Sequence, residues 1–201
     1  MTSSLAIVVP AAGASSRMGG RDKLLELVEG VPLLRRQVGR ALDTGADVFV
    51  TLRADRPLRG EALDQLPQKK LTRVPVERPQ DGLSASLAVG IRALPDTVDA
   101  VMILLPDLPE IDTSDLSAMI AAQVKAPTSI LRAYTDSGVA GHPVIFPRPW
   151  FAALSTLTGD RGAGALLRRA DVIEHRLSGN RAITDLDTPE DWAAWRERTG
   201  A

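Results

Sequence analysis

The sequence predicts a three-layer α/β/α domain with a mostly parallel sheet, and three observations carry that expectation. Short apolar runs alternate with amphipathic stretches along the chain, the pattern that parallel strands joined by crossover helices produce. The first run, Leu5 to Val9, is apolar without alternation, so it needs cover on both faces. No repeat, linker or low-complexity tract interrupts the 201 residues, and one domain spanning 1–201 is expected.

The elements follow in order. A glycine-rich stretch leaves the first strand, and a helix is predicted over Pro32 to Thr44, where Leu33, Leu34, Val38 and Leu42 form an apolar stripe that Gly45 ends. Strands are predicted over Asp47 to Arg53 and Arg73 to Val76. In "GLSASLAVGIRAL", Leu83, Leu87, Ile91 and Leu94 fall at helical spacing. Ala100 to Leu105 is the strongest central strand, stopped by Pro106, which has no N–H for a ladder. A helix over Ser114 to Val124 precedes strands at Ser129 to Tyr134 and Pro143 to Pro147. Helices are expected near Pro149 to Ser155 and Gly162 to Arg169, then strands at Val172 to Arg176 and Ala182 to Leu186. The last helix opens in "DTPEDW", with Thr188 as N-cap, Pro189 in the first turn, and Glu190 and Asp191 favouring the helix dipole. Met102 and Met119 lie in apolar patterns and are expected in the core.

Composition removes several classes of function. A formal net charge of -1 gives no basic field for nucleic acid or an anionic membrane, and 3% aromatic residues leave no stacking platform for single strands. The absence of cysteine excludes disulfides, thiolate zinc sites and cysteine nucleophiles, and two histidines make an imidazole-rich metal site a poor expectation. The start, "MTSSLAIVVPAAG", lacks a basic n-region, and no segment has the length of a membrane span. A cytoplasmic location is expected.

The stretch "VVPAAGASSRMGGRDKLL" matches neither G-x-x-x-x-G-K-[ST] nor G-x-G-x-x-G. It still combines glycines that let backbone amides approach an anion with Arg17 and Lys23, which neutralise charge. A triphosphate fits that combination better than a single carboxylate. In an open α/β sheet ligands sit at the carboxyl ends of strands. That places the loop beside the Asp107 turn and the segments near Asp81 and Asp187.

The pattern AAG-x-S-x-RM-(G)G-x-x-K, carried by Ala11, Ala12, Gly13, Ser15, Arg17, Met18, Gly20 and Lys23, resembles the signature of the molybdenum cofactor nucleotidylyltransferases. Gly19 is one residue more than the shortest form. "GLSASLAVGI", "LLPDLPEI", "GHPVIF", "LTGDRGAGALL" and "DLDTPEDW" follow in the family's order, so the resemblance spans almost the whole chain. "GHPV" followed by "TGDRGA" is most similar to the cytidylyltransferase-like branch.

The resemblance implies a glycosyltransferase-A-like, Rossmann-like nucleotidyltransferase fold, with Ala11, Ala12, Gly13, Ser15, Arg17, Gly20 and Lys23 on the nucleotide. Lys23, Arg17 and Asp107 are its implied catalytic residues. Asp107 is the implied Mg²⁺ ligand, although Pro106 stands where the family commonly has glycine; a hard cation takes oxygen ligands from one or two carboxylates plus substrate phosphates. Asp187 is the candidate second metal ligand, carried opposite Asp107 by the final strand, and Asp185, two residues away on the same strand face, is the alternative. Gly82, Leu83, Ser84 and Ser86 are implied nucleoside contacts, while Ser84 and Ser86 also read as plain helix caps. His142 reads as a general base or as a structural residue, and with Asp160 and Arg161 it falls on the implied acceptor side.

The expected reaction is Mg²⁺-dependent transfer of CMP from CTP to molybdopterin or its molybdenum form, with release of pyrophosphate. A molybdoenzyme or chaperone partner is compatible with such a product. The alternatives are an NTP transferase acting on a sugar 1-phosphate or another small phosphate, and a non-catalytic nucleotide- or cofactor-binding escort protein.

Overall fold

Seven strands form the central sheet and two more a small hairpin beside it. The computed structural model describes residues 4–159 and 162–201. In chain order the strands are β1 (Leu5–Pro10), β2 (Leu27–Val28), β3 (Val31–Pro32), β4 (Asp47–Leu52), β5 (Leu71–Pro75), β6 (Ala100–Ile103), β7 (Ile130–Tyr134), β8 (Ala140–Pro147) and β9 (Val172–Arg176). The α-helices are α1 (Leu33–Asp43), α2 (Pro57–Ala62), α3 (Gly82–Arg92), α4 (Thr113–Lys125), α5 (Phe151–Ser155), α6 (Gly164–Leu167) and α7 (Pro189–Thr199).

The sheet order is β5-β4-β1-β6-β8-β7-β9, and β2 pairs with β3. β4, β1 and β6 pair in parallel, as do β4 with β5 and β7 with β9; β8 alone runs against its neighbours β6 and β7. From β1 the chain steps outward to β4 and β5, then returns to place β6 on the other side. That reversal opens a crevice at the carboxyl ends of β1 and β6, where ligands bind in such sheets.

Alternating side chains build the two outer layers. Ile7 and Val9 of β1 face a core shared with Leu34 and Val38 of α1 and with Leu116 and Met119 of α4. Ala6 and Val8 face the opposite core, with Leu87 and Ile91 of α3 and Leu154 of α5. Contact between α3 and β1 is close: a Cβ at Gly90 would lie 2.7 Å from Val8 Cγ1. A smaller cluster joins Met18, Val28, Leu33, Leu186, Trp192 and Trp195, so α7 packs directly against the glycine-rich loop. Thr188 caps α7 in a reciprocal capping box with Asp191, and Pro189 occupies the first turn.

Most elements lie within two residues of their expected bounds, but three features differ. Ala182 to Leu186 is not a strand. The Ile183 and Thr184 amides donate to the Asn180 carbonyl and the Asp185 amide donates to Ile183, so local turns take the donors that a sheet partner would have used. The helix expected over Gly162 to Arg169 is reduced to the single turn of α6. α2 and the β2–β3 hairpin were not foreseen, because six residues and two-residue strands carry too little periodicity to register. Among the described residues no helix is long and apolar enough to cross a membrane.

Candidate active site

The chain leaves β1 with Ala11 and Ala12 still buried, and the Ala11 amide donates to Thr51 at 3.0 Å. At Gly13 the position of a Cβ has no heavy atom within 4 Å, so the backbone faces open space. A 3₁₀ turn over Ser16–Met18 follows, anchored by the fully buried Met18 side chain in the α7 cluster. Gly19 and Gly20 then take φ values of 59° and 89°, a left-handed path that favours glycine. Gly19 is therefore part of the turn. Asp22 caps the next 3₁₀ turn, accepting from the Leu24 amide, and that turn begins at Lys23.

Despite the additional glycine, Lys23 reaches the centre of the crevice. Its Nζ lies 2.6 Å from Asp107 Oδ2 and 2.6 Å from Asp187 Oδ1. Asp107 stands just beyond β6, on a turn held from α1: Gln37 donates to the Leu108 carbonyl, and Arg40 to those of Pro109 and Ile111. The Leu186 amide donates to the Asp107 carbonyl at 3.1 Å. This bond, rather than a final strand, brings Asp187 opposite Asp107. Arg17 completes the group, its Nη2 2.6 Å from Asp187 Oδ2. Arg17, Lys23, Asp107 and Asp187, distant in sequence, thus form one charge cluster.

Burial disfavours the Lys23 ammonium, but the Asp107 and Asp187 carboxylates outweigh it and hold its pKa above the usual lysine value. Asp185 does not share the lysine. Desolvation, reinforced by the Asp107 and Asp187 carboxylates, raises its pKa above the ordinary aspartate value. The residues suit a hard cation: one Nζ touches both carboxylates, so a single ion can also reach both, and the buried Asp107 Oδ1 has no hydrogen-bond partner among the described residues. No group of three or more His, Cys, Asp or Glu converges among the described residues. Phosphate and water oxygens would have to complete the coordination.

On the other side of the crevice α3 begins at Gly82, with Leu83, Ser84 and Ser86 in its first turns. Ser84 and Ser86 are buried inside the helix, and Asp81 holds the N-cap position; the helix-cap reading of the two serines is corrected. The Ser84 hydroxyl is buried without a partner among the described residues. His142, joined to Pro143 by a cis peptide, lines a cavity of about 60 Å³ with Leu83, Leu87, Val144 and Gly162. Burial, together with the Arg132 guanidinium and against the Asp107 carboxylate, lowers its pKa to about 4. Asp160 and Arg161 lie outside the described residues.

Arg59 and Asp22 were not foreseen. The Arg59 side chain, on α2, is wholly buried and pairs through two nitrogens with Asp22, 2.8 Å in each case. The available signal was the spacing of Arg53, Arg56 and Arg59 in "RADRPLR", three residues apart and adjacent in space to the loop.

Comparison with known proteins bears on the family and the fold. The MobA-like NTP transferase domain matches residues 7–175. A probable molybdenum cofactor guanylyltransferase of Natronomonas pharaonis is 28% identical, over 95% of this chain and 96% of that protein. The bifunctional protein GlmU of Sorangium cellulosum is 31% identical over 66% of this chain, which spans only 32% of GlmU's length. Among solved structures, Rv0371c of Mycobacterium tuberculosis H37Rv superimposes with a TM-score of 0.84 at 26% identity, over 98% of this chain and 100% of that one; a manganese complex of the same protein gives 0.78.

Proposed function

The chain belongs to the MobA-like NTP transferase domain family and is a nucleotidyltransferase, and from that premise we propose that it joins CMP, taken from CTP, to the phosphate of molybdopterin or its molybdenum form. The observation that carries this reading is the meeting of Lys23 and Arg17 with Asp107 and Asp187 at the mouth of the glycine-rich loop. Nucleotidyl transfer is an in-line displacement in which an acceptor phosphate oxygen bonds to the α-phosphorus while the bond to pyrophosphate breaks. The nucleophile is already an anion, so no general base is needed, and catalysis rests on positioning and charge neutralisation. A neutral, enclosed His142 is compatible with that chemistry and takes the structural role.

The loop between Ala11 and Gly20 supplies backbone amides to the triphosphate, those of Ala12 to Ser15 foremost. Arg17 and Lys23 neutralise the leaving phosphates, Lys23 exchanging its carboxylate contacts for phosphate oxygens. Asp107 and Asp187 would hold a divalent metal, Mg²⁺ in this proposal, and when bound it would supply charge neutralisation at the α-phosphate. The manganese complex of the mycobacterial relative makes Mn²⁺ a natural second ion to assay. Gly82 and Leu83, at the start of α3, take the nucleoside in this proposal, while the Ser84 hydroxyl beneath them is buried without a partner among the described residues. His142 is assigned to the acceptor side, as are Asp160 and Arg161, which lie outside the described residues and are assigned by the resemblance alone.

CTP is favoured by the "GHPV" and "TGDRGA" segments. GTP is the second reading, supported by the guanylyltransferase name of the Natronomonas relative. The test is a matrix of CTP, GTP, UTP and ATP against molybdopterin and several sugar 1-phosphates, scored by pyrophosphate release with Mg²⁺. Highest turnover with CTP and molybdopterin is expected. Turnover confined to GTP reassigns the base, turnover confined to a sugar 1-phosphate reassigns the acceptor, and nucleotide binding without turnover in any cell favours an escort protein.

A further inference from the structure

We infer that Arg59 is a positioning residue which, together with Arg53 and Arg56, orients the amides of the glycine-rich loop toward the triphosphate; the inference rests on the proposed use of that loop. A guanidinium has five N–H donors in a fixed planar fork, and Arg59 uses all of them. Nε donates to Asp22 Oδ2 at 2.8 Å; Nη1 to the carbonyls of Ala11 at 2.6 Å and Gly13 at 2.8 Å; Nη2 to Ser15 Oγ at 3.0 Å and Asp22 Oδ1 at 2.8 Å. Arg53 Nη1 donates to the Ala12 carbonyl at 3.4 Å, and Arg56 Nη2 to the Ala14 carbonyl at 3.2 Å. Three arginines thus take the carbonyls of four consecutive loop residues.

In a trans peptide the C=O and N–H point in opposite directions. Holding the carbonyls of Ala11 to Ala14 on the arginine side therefore turns the amides of Ala12, Gly13, Ala14 and Ser15 away from it. None of these four amides has a protein acceptor among the described residues. A run of successive free amides is a ready anion cradle. Asp22 ties the far end of the loop to the same guanidinium, so both limbs of the cradle share one anchor.

A purely stabilising role accounts for less of this. Burying an ion pair carries a desolvation cost, and well-packed apolar residues of similar volume are often as stabilising. What an apolar residue cannot do is hold two loop carbonyls, a serine hydroxyl and an aspartate in fixed directions. Lysine keeps the charge but has three donors at a point rather than a planar fork.

The experiment titrates CTP, GTP and tripolyphosphate into the full chain with Mg²⁺ and no acceptor, by calorimetry, for wild type, Arg59→Lys and Arg56→Gln, alongside Tm. Arg59→Lys is expected to weaken the ligands that wild type binds at least tenfold, and the more exposed Arg56→Gln several-fold, with stoichiometry near that of wild type. A purely structural role instead lowers stoichiometry by the unfolded fraction and leaves the affinity of the folded remainder intact, which would overturn the inference. If Arg59→Lys fails to fold, Arg56→Gln decides: wild-type affinity there overturns it, weakened affinity at unchanged Tm supports it. Wild-type protein that binds none of the three ligands overturns the reading of the site, and the inference with it.

Discussion

At the scale of single residues, Lys23 is the hinge of the site. It is nearly enclosed, it pairs with both carboxylates, and its ammonium is held firmly charged by them. Lys23→Ala should lower turnover by roughly 10²–10³, the range seen on removing one preorganised charge-stabilising donor, measured as pyrophosphate release at saturating metal. Near-normal release would remove Lys23 from the mechanism. His142 provides a separate test through stability. The folded protein keeps it neutral down to about pH 4, whereas an unfolded chain protonates histidine near 6.5. Between those values the unfolded state holds more protons, so stability falls as pH drops from 6.5 toward 4, and this contribution becomes constant below 4. The loss is on the order of 3 kcal/mol. Urea unfolding in metal-free buffer at pH 7, 6 and 5 should show a steeper decline for wild type than for His142→Gln; equal slopes would mean that the imidazole is solvated.

At the scale of elements, the site depends on segments that dock rather than continue. The stretch from Asn180 to Asp187 makes its own turns, and among the described residues only two backbone bonds, from the His142 amide to the Ala182 carbonyl and from the Leu186 amide to the Asp107 carbonyl, tie it to β8 and to the turn after β6. Gly141 is the contact point, because a Cβ there would lie 2.1 Å from the Ala182 carbonyl oxygen. Gly141→Ala should push this segment outward, carry Asp187 from Asp107, and weaken metal binding tenfold or more while the sheet remains folded. Mn²⁺ titration followed by electron paramagnetic resonance, with Tm in parallel, checks it; unchanged affinity would show that Asp187 is placed by α7 alone.

These elements also show what the sequence could reveal. Long periodic segments such as α1, α3 and α4 were legible because a 3.6-residue apolar stripe is a local signal, and Asp107 was legible because a proline closes an apolar strand beside it. The turns at 180–187 were not: "AITDL" looks like a strand until the Asn180 carbonyl takes two of its amides. Arg59 was hidden for another reason. A buried arginine is rare, and nothing local announces that its partners, Ala11, Gly13, Ser15 and Asp22, lie 37 to 48 positions away.

At the scale of the whole molecule, the reversal of strand order between β1 and β6 creates the crevice, and every charged group of the proposed mechanism enters from a loop on that edge. Positive charge is local, in a chain of net charge -1, which suits a phosphate-bearing small molecule better than a nucleic acid. The active unit in this proposal is the protein with its ion. Chelation should therefore abolish turnover, and added Mg²⁺ or Mn²⁺ should restore it; activity that survives exhaustive chelation would remove the two-carboxylate centre from the mechanism. The most direct measurement is a single turnover of α-³²P-labelled CTP, and separately GTP, with molybdopterin and Mg²⁺, comparing wild type with Asp107→Asn. The prediction is label transferred to the acceptor by wild type and loss of that transfer in Asp107→Asn, with the variant's Tm preserved. Equal transfer by both proteins, or none by folded wild type with either nucleotide, would contradict it.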